Sequence, residues 1–153
     1  MKNTFQREGS ISNAHVGNEF ELLTHKLFEE QGVFLARDIK VEIGLRDKKG
    51  HRFDLGSLED KIIVECKSHT WTKTGNIPSA KITTWDQAMF YFLLAPKDFR
   101  KIFVVLKNEH PKRTETLAEY YVRLKSHLIP NDVEIWELDI ESEDFKVLRD
   151  IYT

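Results

Sequence analysis

The 153-residue chain reads as an α/β (α+β) protein with one domain over residues 1–153. The order is a helix, a three-stranded meander, then helix, strand, helix and strand, giving a mixed sheet flanked by helices. Three observations predict it. Apolar spacing changes from helical at Val16, Phe20, Leu23 and Leu27 to alternating at Val33, Leu35, Ile39, Val41 and Ile43. Two later helical stretches each run into a stopping proline, Pro96 and Pro130. Between them KIFVVLK, residues 101–107, is apolar at consecutive positions, as a strand covered on both faces must be.

The elements follow in order. Ser12 or Asn13 caps the first helix, which runs to about Gln31 and ends at Gly32. VFLARDIKVEI, residues 33–43, is a long strand that turns through RDKKG, residues 46–50, into the strand HRFDL. Gly-Ser-Leu-Glu-Asp then connects to KIIVECK, residues 61–67. Residues 69–81, with their Thr, Lys, Gly, Asn and Pro, form a loop. A helix over residues 85–95 opens on Thr84-Trp85-Asp86-Gln87, which reads as a capping box. After the KIFVVLK strand, Thr114 caps a helix to about Leu128, VEIWEL is a final strand, and Ser142 caps a short terminal helix. There is no repeat, low-complexity tract or linker.

The most informative stretch is Phe53-Asp54, ten residues, then Glu65-Cys66-Lys67. Side chains alternate along a strand, so Ile62, Val64 and Cys66 share one face, and Ile63, Glu65 and Lys67 the other. A hairpin with its tightest loop at Glu59-Asp60 pairs residues whose numbers sum to 119, which sets Asp54 opposite Glu65. Like charges so placed repel unless a cation sits between them. Two oxygen ligands on adjacent strands suit a hard divalent cation such as Mg2+, which leaves its other positions to water and a phosphate oxygen. Lys67, one step along the same face, can hold an attacking water or stabilise charge on a scissile phosphate. The competing reading is an ordinary solvated strand face with a cross-strand ion pair.

These residues resemble the PD-(D/E)XK nuclease superfamily, which has a restriction endonuclease-like fold. Asp54 and Glu65-Cys66-Lys67 carry the resemblance, with Phe53 where the name-giving proline would stand. Upstream, Gly17-Asn18-Glu19-Phe20-Glu21 is similar to the Gly-x-x-Phe-Glu that opens a helix before the core strands. Downstream, Gln87-Ala88-Met89-Phe90-Tyr91 is similar to the Gln-x-x-x-Tyr motif of the RecB-like branch. The likeness spans about residues 14–107. It implies a Mg2+-dependent deoxyribonuclease, with Mn2+ able to substitute, in restriction, repair or mobile-element processing. Asp54, Glu65 and the Cys66 carbonyl would hold the metal, Lys67 would position or activate the water, and Glu21 and Gln87 would tune the site. A domain this small also implies a homodimer or a subunit of a larger assembly. From the residues alone, Glu19 and Glu21 stand on opposite shoulders of the helical stripe, Gln87 serves equally as a cap, and Tyr91 as core.

Composition is compatible with a nucleic-acid partner despite a formal charge of −2. Residues 40–113 carry 15 Lys and Arg against 9 Asp and Glu, leaving 8 against 16 elsewhere, so the positive excess falls on the segment with the proposed site. In the 69–81 loop, Trp71 suits base stacking, and Lys73 and Lys81 suit phosphate contact, although a loop Trp serves equally as packing. His69 continues the Glu65 and Lys67 face toward a metal or phosphate. The acid-rich end, VEIWELDIESED, reads as a solvated edge. Other chemistries lack their signatures: no Cys-x-x-Cys or His-x-x-x-His for zinc, no Gly-rich phosphate loop, and one cysteine. The longest apolar run, MFYFLLA, is too short to span a bilayer, and the opening MKNTFQREGS lacks a signal core, which predicts a soluble cytoplasmic protein. Two further classes stay open: a non-catalytic nucleic-acid-binding module, and a structural or regulatory subunit.

Overall fold

A computed structural model describes residues 10–151, with side chains from residue 15 onward. Its elements are α1 (Ser10–Glu30), β1 (Ala36–Ile43), β2 (Lys49–Ser57), β3 (Ile62–Lys67), α2 (Ser79–Leu94), β4 (Arg100–Leu106), α3 (Leu117–Leu124), a single 3-10 turn at Ser126–Leu128, β5 (Val133–Asp139) and β6 (Asp144–Arg149). The six strands form one mixed sheet in chain order. β1, β2 and β3 are an antiparallel meander, β3, β4 and β5 are parallel, and β6 returns antiparallel to β5.

Both parallel crossovers, through α2 and α3, step the same way along the sheet. The right-handed rule for such crossovers therefore puts both helices on one face, leaving the other to α1. Consecutive residues of β4 show the two cores directly. Phe103 and Val105 join Phe53, Ile63, Trp85, Phe92 and Tyr121 under α2 and α3. Ile102, Val104 and Leu106 join Phe20, Phe28, Leu55, Val64 and Trp136 under α1. Facing alternately into two apolar layers is why this strand is apolar throughout. No helix among the described residues is long and apolar enough to cross a membrane.

Several boundaries differ from those the sequence predicts. α1 already runs at Ser10, so Ser12 and Asn13 lie within it, and Gly17–Glu21 fall in its middle rather than at its opening. Its end is as expected: Gly32 takes φ +82°, with Gly32 N donating to Glu29 O and Val33 N to Phe28 O. β1 begins three residues late, and its alternation breaks at Asp38, which takes φ +60°. Leu35 thus packs on the α1 side, while Ile39, Val41 and Ile43 pack on the α2 side. The β1–β2 turn lies at residues 44–48, because Gly44 takes φ +147° and a Cβ there would sit 2.0 Å from Asp47 O.

α2 starts six residues earlier than expected. Thr84 Oγ1 donates to Lys81 O inside the helix, so Thr84 and Gln87 form no capping box, and Lys81 belongs to the first helical turn instead of a loop. The cap of α3 is Thr116, not Thr114. Its hydroxyl accepts from Glu119 N while Thr116 N donates to Glu119 Oε1. The helix expected after Ser142 is strand β6, turned through Glu143 at φ +55°. Phe145 explains the preference, since its ring packs 5.2 Å from both Phe28 and Trp136. Nor is β5 a solvated acidic edge. Glu134 and Glu137 are buried, the first taking two hydrogen bonds from Arg100, the second one from the Thr116 hydroxyl.

Thr116 therefore does two things, capping α3 and satisfying a buried carboxylate. Thr116→Ala should cost about 2 kcal/mol, from a lost cap and an unpaired Glu137 oxygen, while Thr116→Ser should keep most of it. Urea unfolding of the three proteins measures both differences.

Candidate functional site

The site begins where β2 parts from β3. Their ladder pairs Ser57 with Ile62, Gly56 with Ile63 and Leu55 with Val64, and each pair sums to 119. The connecting turn is the four residues 58–61, wider than the expected two, but centred on the same bond, so the register is the one read from the sequence. Beyond Leu55 and Val64 the strands fork, because β2 crosses to the other face: Leu55 packs under α1 and Phe53 under α2. The next backbone donors turn to side chains. Asp54 N donates to Glu65 Oε1 (3.0 Å), and Cys66 N donates to Asp54 Oδ2 (2.8 Å). Each carboxylate is thus held by the opposite strand's backbone, and the two are locked facing one another.

A third carboxylate comes from α1. Glu21 meets Asp54, and Arg37 of β1 lies 3.9 Å from Glu21 Oε2 and donates to Asn18 Oδ1 at 2.8 Å. Glu19 instead pairs with His15 on the exposed side of the helix, so the geometry selects Glu21 of the two acids. His25, one turn on, bonds Leu35 O and tethers α1 to the entry of β1. Glu21, Arg37, Asp38 and Asp54 line an open cleft of about 420 Å³.

The electrostatics follow from burial. Glu65 is 7% exposed, and desolvation, then the charge of Asp54, raise its carboxyl to about 8, against the opposing pull of Lys67 and Asp54 N–H. Desolvation and Asp54 also raise Glu21 to about 7, with Arg37 pulling the other way. Burial, followed by these same three acids, pushes the Cys66 thiol up as well, so it is held as a neutral group on the α1 side.

The α2 side carries the cation and the rings. Lys67 lies on the Ile63 and Glu65 face of β3, half-buried, with its charge felt at both Glu65 and His51. His51 of β2 stacks on Tyr91 of α2. Tyr91 is therefore packing, partly buried against the α2 core. Gln87, one turn earlier, is exposed, and no hydrogen bond joins it to the carboxylates among the described residues. His69 does continue beyond Lys67, but its Nδ1 accepts a hydrogen bond from Trp85 Nε1 at 2.8 Å, which orients the ring on the core.

Trp71 is a correction. Its ring is 4% exposed, capped by the Arg113 guanidinium at 4.3 Å and edged by Tyr120. It anchors the 69–78 loop to the segment after β4, aided by Trp71 N donating to Asn108 Oδ1 and Arg113 Nε to Gly75 O. No base can stack on it. Lys73 and Lys81 are exposed, as phosphate contacts require.

Arg37, Asp38 and His51 were not foreseen. A turn at residues 44–48 makes β1 and β2 partners sum to 92, which leaves Asp38 and Asp54 at facing, unpaired positions between Arg37–Leu55 and Ile39–Phe53; the turn expected at residues 46–50 hides that placement. His51 gives no signal, since its stack on Tyr91 depends on α2 packing over it.

Among the described residues, no group of three or more His, Cys, Asp or Glu side chains is already disposed as a metal cage. The donor set nevertheless fits a hard cation. Two carboxylates are fixed face to face across a strand fork with a third beside them, and their mutual repulsion and desolvation are the strain that a divalent ion relieves.

The raised acidities give a signed expectation. A carboxyl held at about 8 keeps a proton that the unfolded chain has lost from the ordinary carboxylate range upward, so metal-free stability falls as pH rises through that window. In EDTA, Glu65→Gln should flatten this decline and melt roughly 5 °C or more above the unsubstituted protein at pH 8.5. Mn2+ should raise the melting temperature of the unsubstituted protein more at pH 8.5 than at pH 6, and leave Glu65→Gln nearly unmoved. Thermal melts across pH check each point.

In comparisons with known proteins, no family model, no curated protein and no solved structure matches this chain.

Proposed function

We propose that the protein is a metal-dependent nuclease that hydrolyses DNA phosphodiester bonds, with a PD-(D/E)XK type of site on a restriction endonuclease-like core. The observation that carries this reading is the reciprocal lock of Asp54 and Glu65 across the fork, with Lys67 on the same strand face as Glu65. Asp54, Glu65 and the Cys66 carbonyl would hold Mg2+ or Mn2+, which when bound supplies Lewis-acid activation of water and of a phosphoryl oxygen.

The chain's own residues account for the rest. Lys67 donates hydrogen bonds only, so it holds the attacking water by a lone pair and offsets charge building on the phosphate. Glu21, raised to about 7, can exchange a proton with water near neutrality. Arg37 places a fixed cation at the cleft mouth, where a phosphate next to the scissile one would pass. Lys73 and Lys81 extend the positive side, in keeping with the basic excess of residues 40–113.

Cleavage of a labelled panel of plasmid, linear duplex, single strand and four-way junction tests the reading. The purified protein should cut at least one member with Mg2+ or Mn2+ and none in EDTA. Lys67→Ala and Glu65→Ala should each lower the rate by about 100-fold or more. No cutting of any member with Mn2+ present overturns the nuclease reading, and DNA retention on the same samples would then favour a non-catalytic binding module.

A further inference from the structure

The pairing of β1 with β2 continues past the fork. β2 meets β3 only over residues 55–57, whereas β1 and β2 stay paired from Ala36 opposite Gly56 out to Ile43 opposite Lys49. Residues 39–53 are therefore a two-stranded arm that extends beyond the carboxylates. One face of the arm is covered, with Ile39, Val41, Ile43 and Phe53 packed toward α2. Side chains alternate along each strand, so Lys40, Glu42 and Arg52 stand on the other face, and all three are exposed.

That face carries a row of cations leading out of the cleft. Arg37 and Asp38 line the cleft itself. Asp38 accepts from Arg52 Nη1 through both its carbonyl and its carboxylate, each at 3.4 Å, and Arg52 is the cross-strand partner of Lys40. The Lys40 stem lies over Gly50, where a Cβ would come within 2.1 Å of Lys40 Cε, so the missing side chain is what lets the lysine lie across β2. Arg46, Lys48 and Lys49 are exposed at the turn, Lys48 reaching back to Gly44 O. Over residues 36–52, six Lys and Arg stand against three Asp and Glu. Like charges directly opposed destabilise a strand pair, and among the described residues Lys40 has no ion pair of its own. Phosphate oxygens would supply the counter-charge. The eight residues of β1 extend about 27 Å, the rise of about eight base pairs, and a straight row of that length matches a stiff duplex.

We propose that the exposed face of the β1–β2 hairpin is the track on which a DNA duplex lies, with Lys40 and Arg52 each holding a backbone phosphate on the arm of DNA that leaves the cleft. The inference rests on the nuclease reading and narrows its substrate to double-stranded DNA. Such contacts fix the position of the duplex and carry no sequence preference.

Binding of a fluorescent duplex of about 20 base pairs, at pH 7 with cleavage stopped by EDTA, is measured across salt concentrations. The proteins compared are the unsubstituted chain, Lys40→Gln, Arg52→Gln, the double variant and Lys146→Gln. Glutamine removes the charge and keeps much of the stem, and Lys146, exposed on β6 at the opposite edge of the sheet, controls for net charge. The slope of log affinity against log salt should flatten by about 0.9 for each hairpin variant and about twice that for the pair, a loss of roughly tenfold per contact at about 0.1 M salt. Melting temperatures, and binding by Lys146→Gln, should not change. A double variant that binds the duplex within about twofold of the unsubstituted protein, an equal loss in Lys146→Gln, or a single strand bound as tightly as the duplex with the same losses would each overturn the track. So would failure of the unsubstituted protein to bind the duplex. The cleavage panel judges the nuclease reading separately: the expected slopes without cutting keep the track and remove the nuclease, and cutting with unchanged slopes does the reverse.

Discussion

Everything at the proposed centre depends on β2 leaving β3 after Leu55 pairs with Val64. Past that pair, Asp54 N and Cys66 N meet no opposing backbone carbonyl and bond side chains of the opposite strand. The fork would orphan both donors, and a buried amide without an acceptor is among the more costly defects a fold can carry. The two carboxylates answer it by each taking the amide of the other strand. The consequence is two acids that cannot move apart when both are charged. A proton on Glu65 relieves the conflict near neutrality, and under the proposed function a divalent cation would relieve it instead.

Sheet topology decides what else can reach that point. Because β1 and β2 both switch faces, at Asp38 and Asp54, the fork opens toward α1 as well as toward α2. Glu21 and Arg37 approach from one side and Lys67 from the other. The parallel strands β3 and β4 beneath are buried on both faces and supply rigidity. Hydrogen bonds from the core hold the surrounding segments: His25 to Leu35 O, Trp85 Nε1 to His69, and Tyr121 Oη to Asp86.

Much of this was legible in the residues, and the exceptions share a cause. The register of β2 and β3 could be counted because the expected and actual turns have the same centre, so an error in turn length still left Asp54 across from Glu65, although the ladder stops one pair short of them. The register of β1 and β2 could not, since the turn moved by two residues to the place where Gly44 accepts φ +147°, and Asp38 went unnoticed opposite Asp54. α2 starts after Pro78 with no side-chain cap, so nothing local announces it. Trp71 looked like a loop aromatic because the residues that bury it, Arg113 and Tyr120, come some forty to fifty positions later. The Ser142 segment carries helix-cap chemistry, yet the edge of β5 and the Phe28 and Trp136 rings draw Phe145 into a strand. In each case a long-range contact overrode a local preference.

The central claim is that the fork is a cation site as well as a stable piece of backbone. A crystal grown with Mn2+ at pH 8 and measured at the manganese absorption edge tests it most directly. The account predicts an anomalous peak bridging the carboxylates of Asp54 and Glu65 and in contact with the Cys66 carbonyl. Crystals of the same form in which manganese binds elsewhere, or does not bind while the fork keeps both amide-to-carboxylate hydrogen bonds, would contradict it.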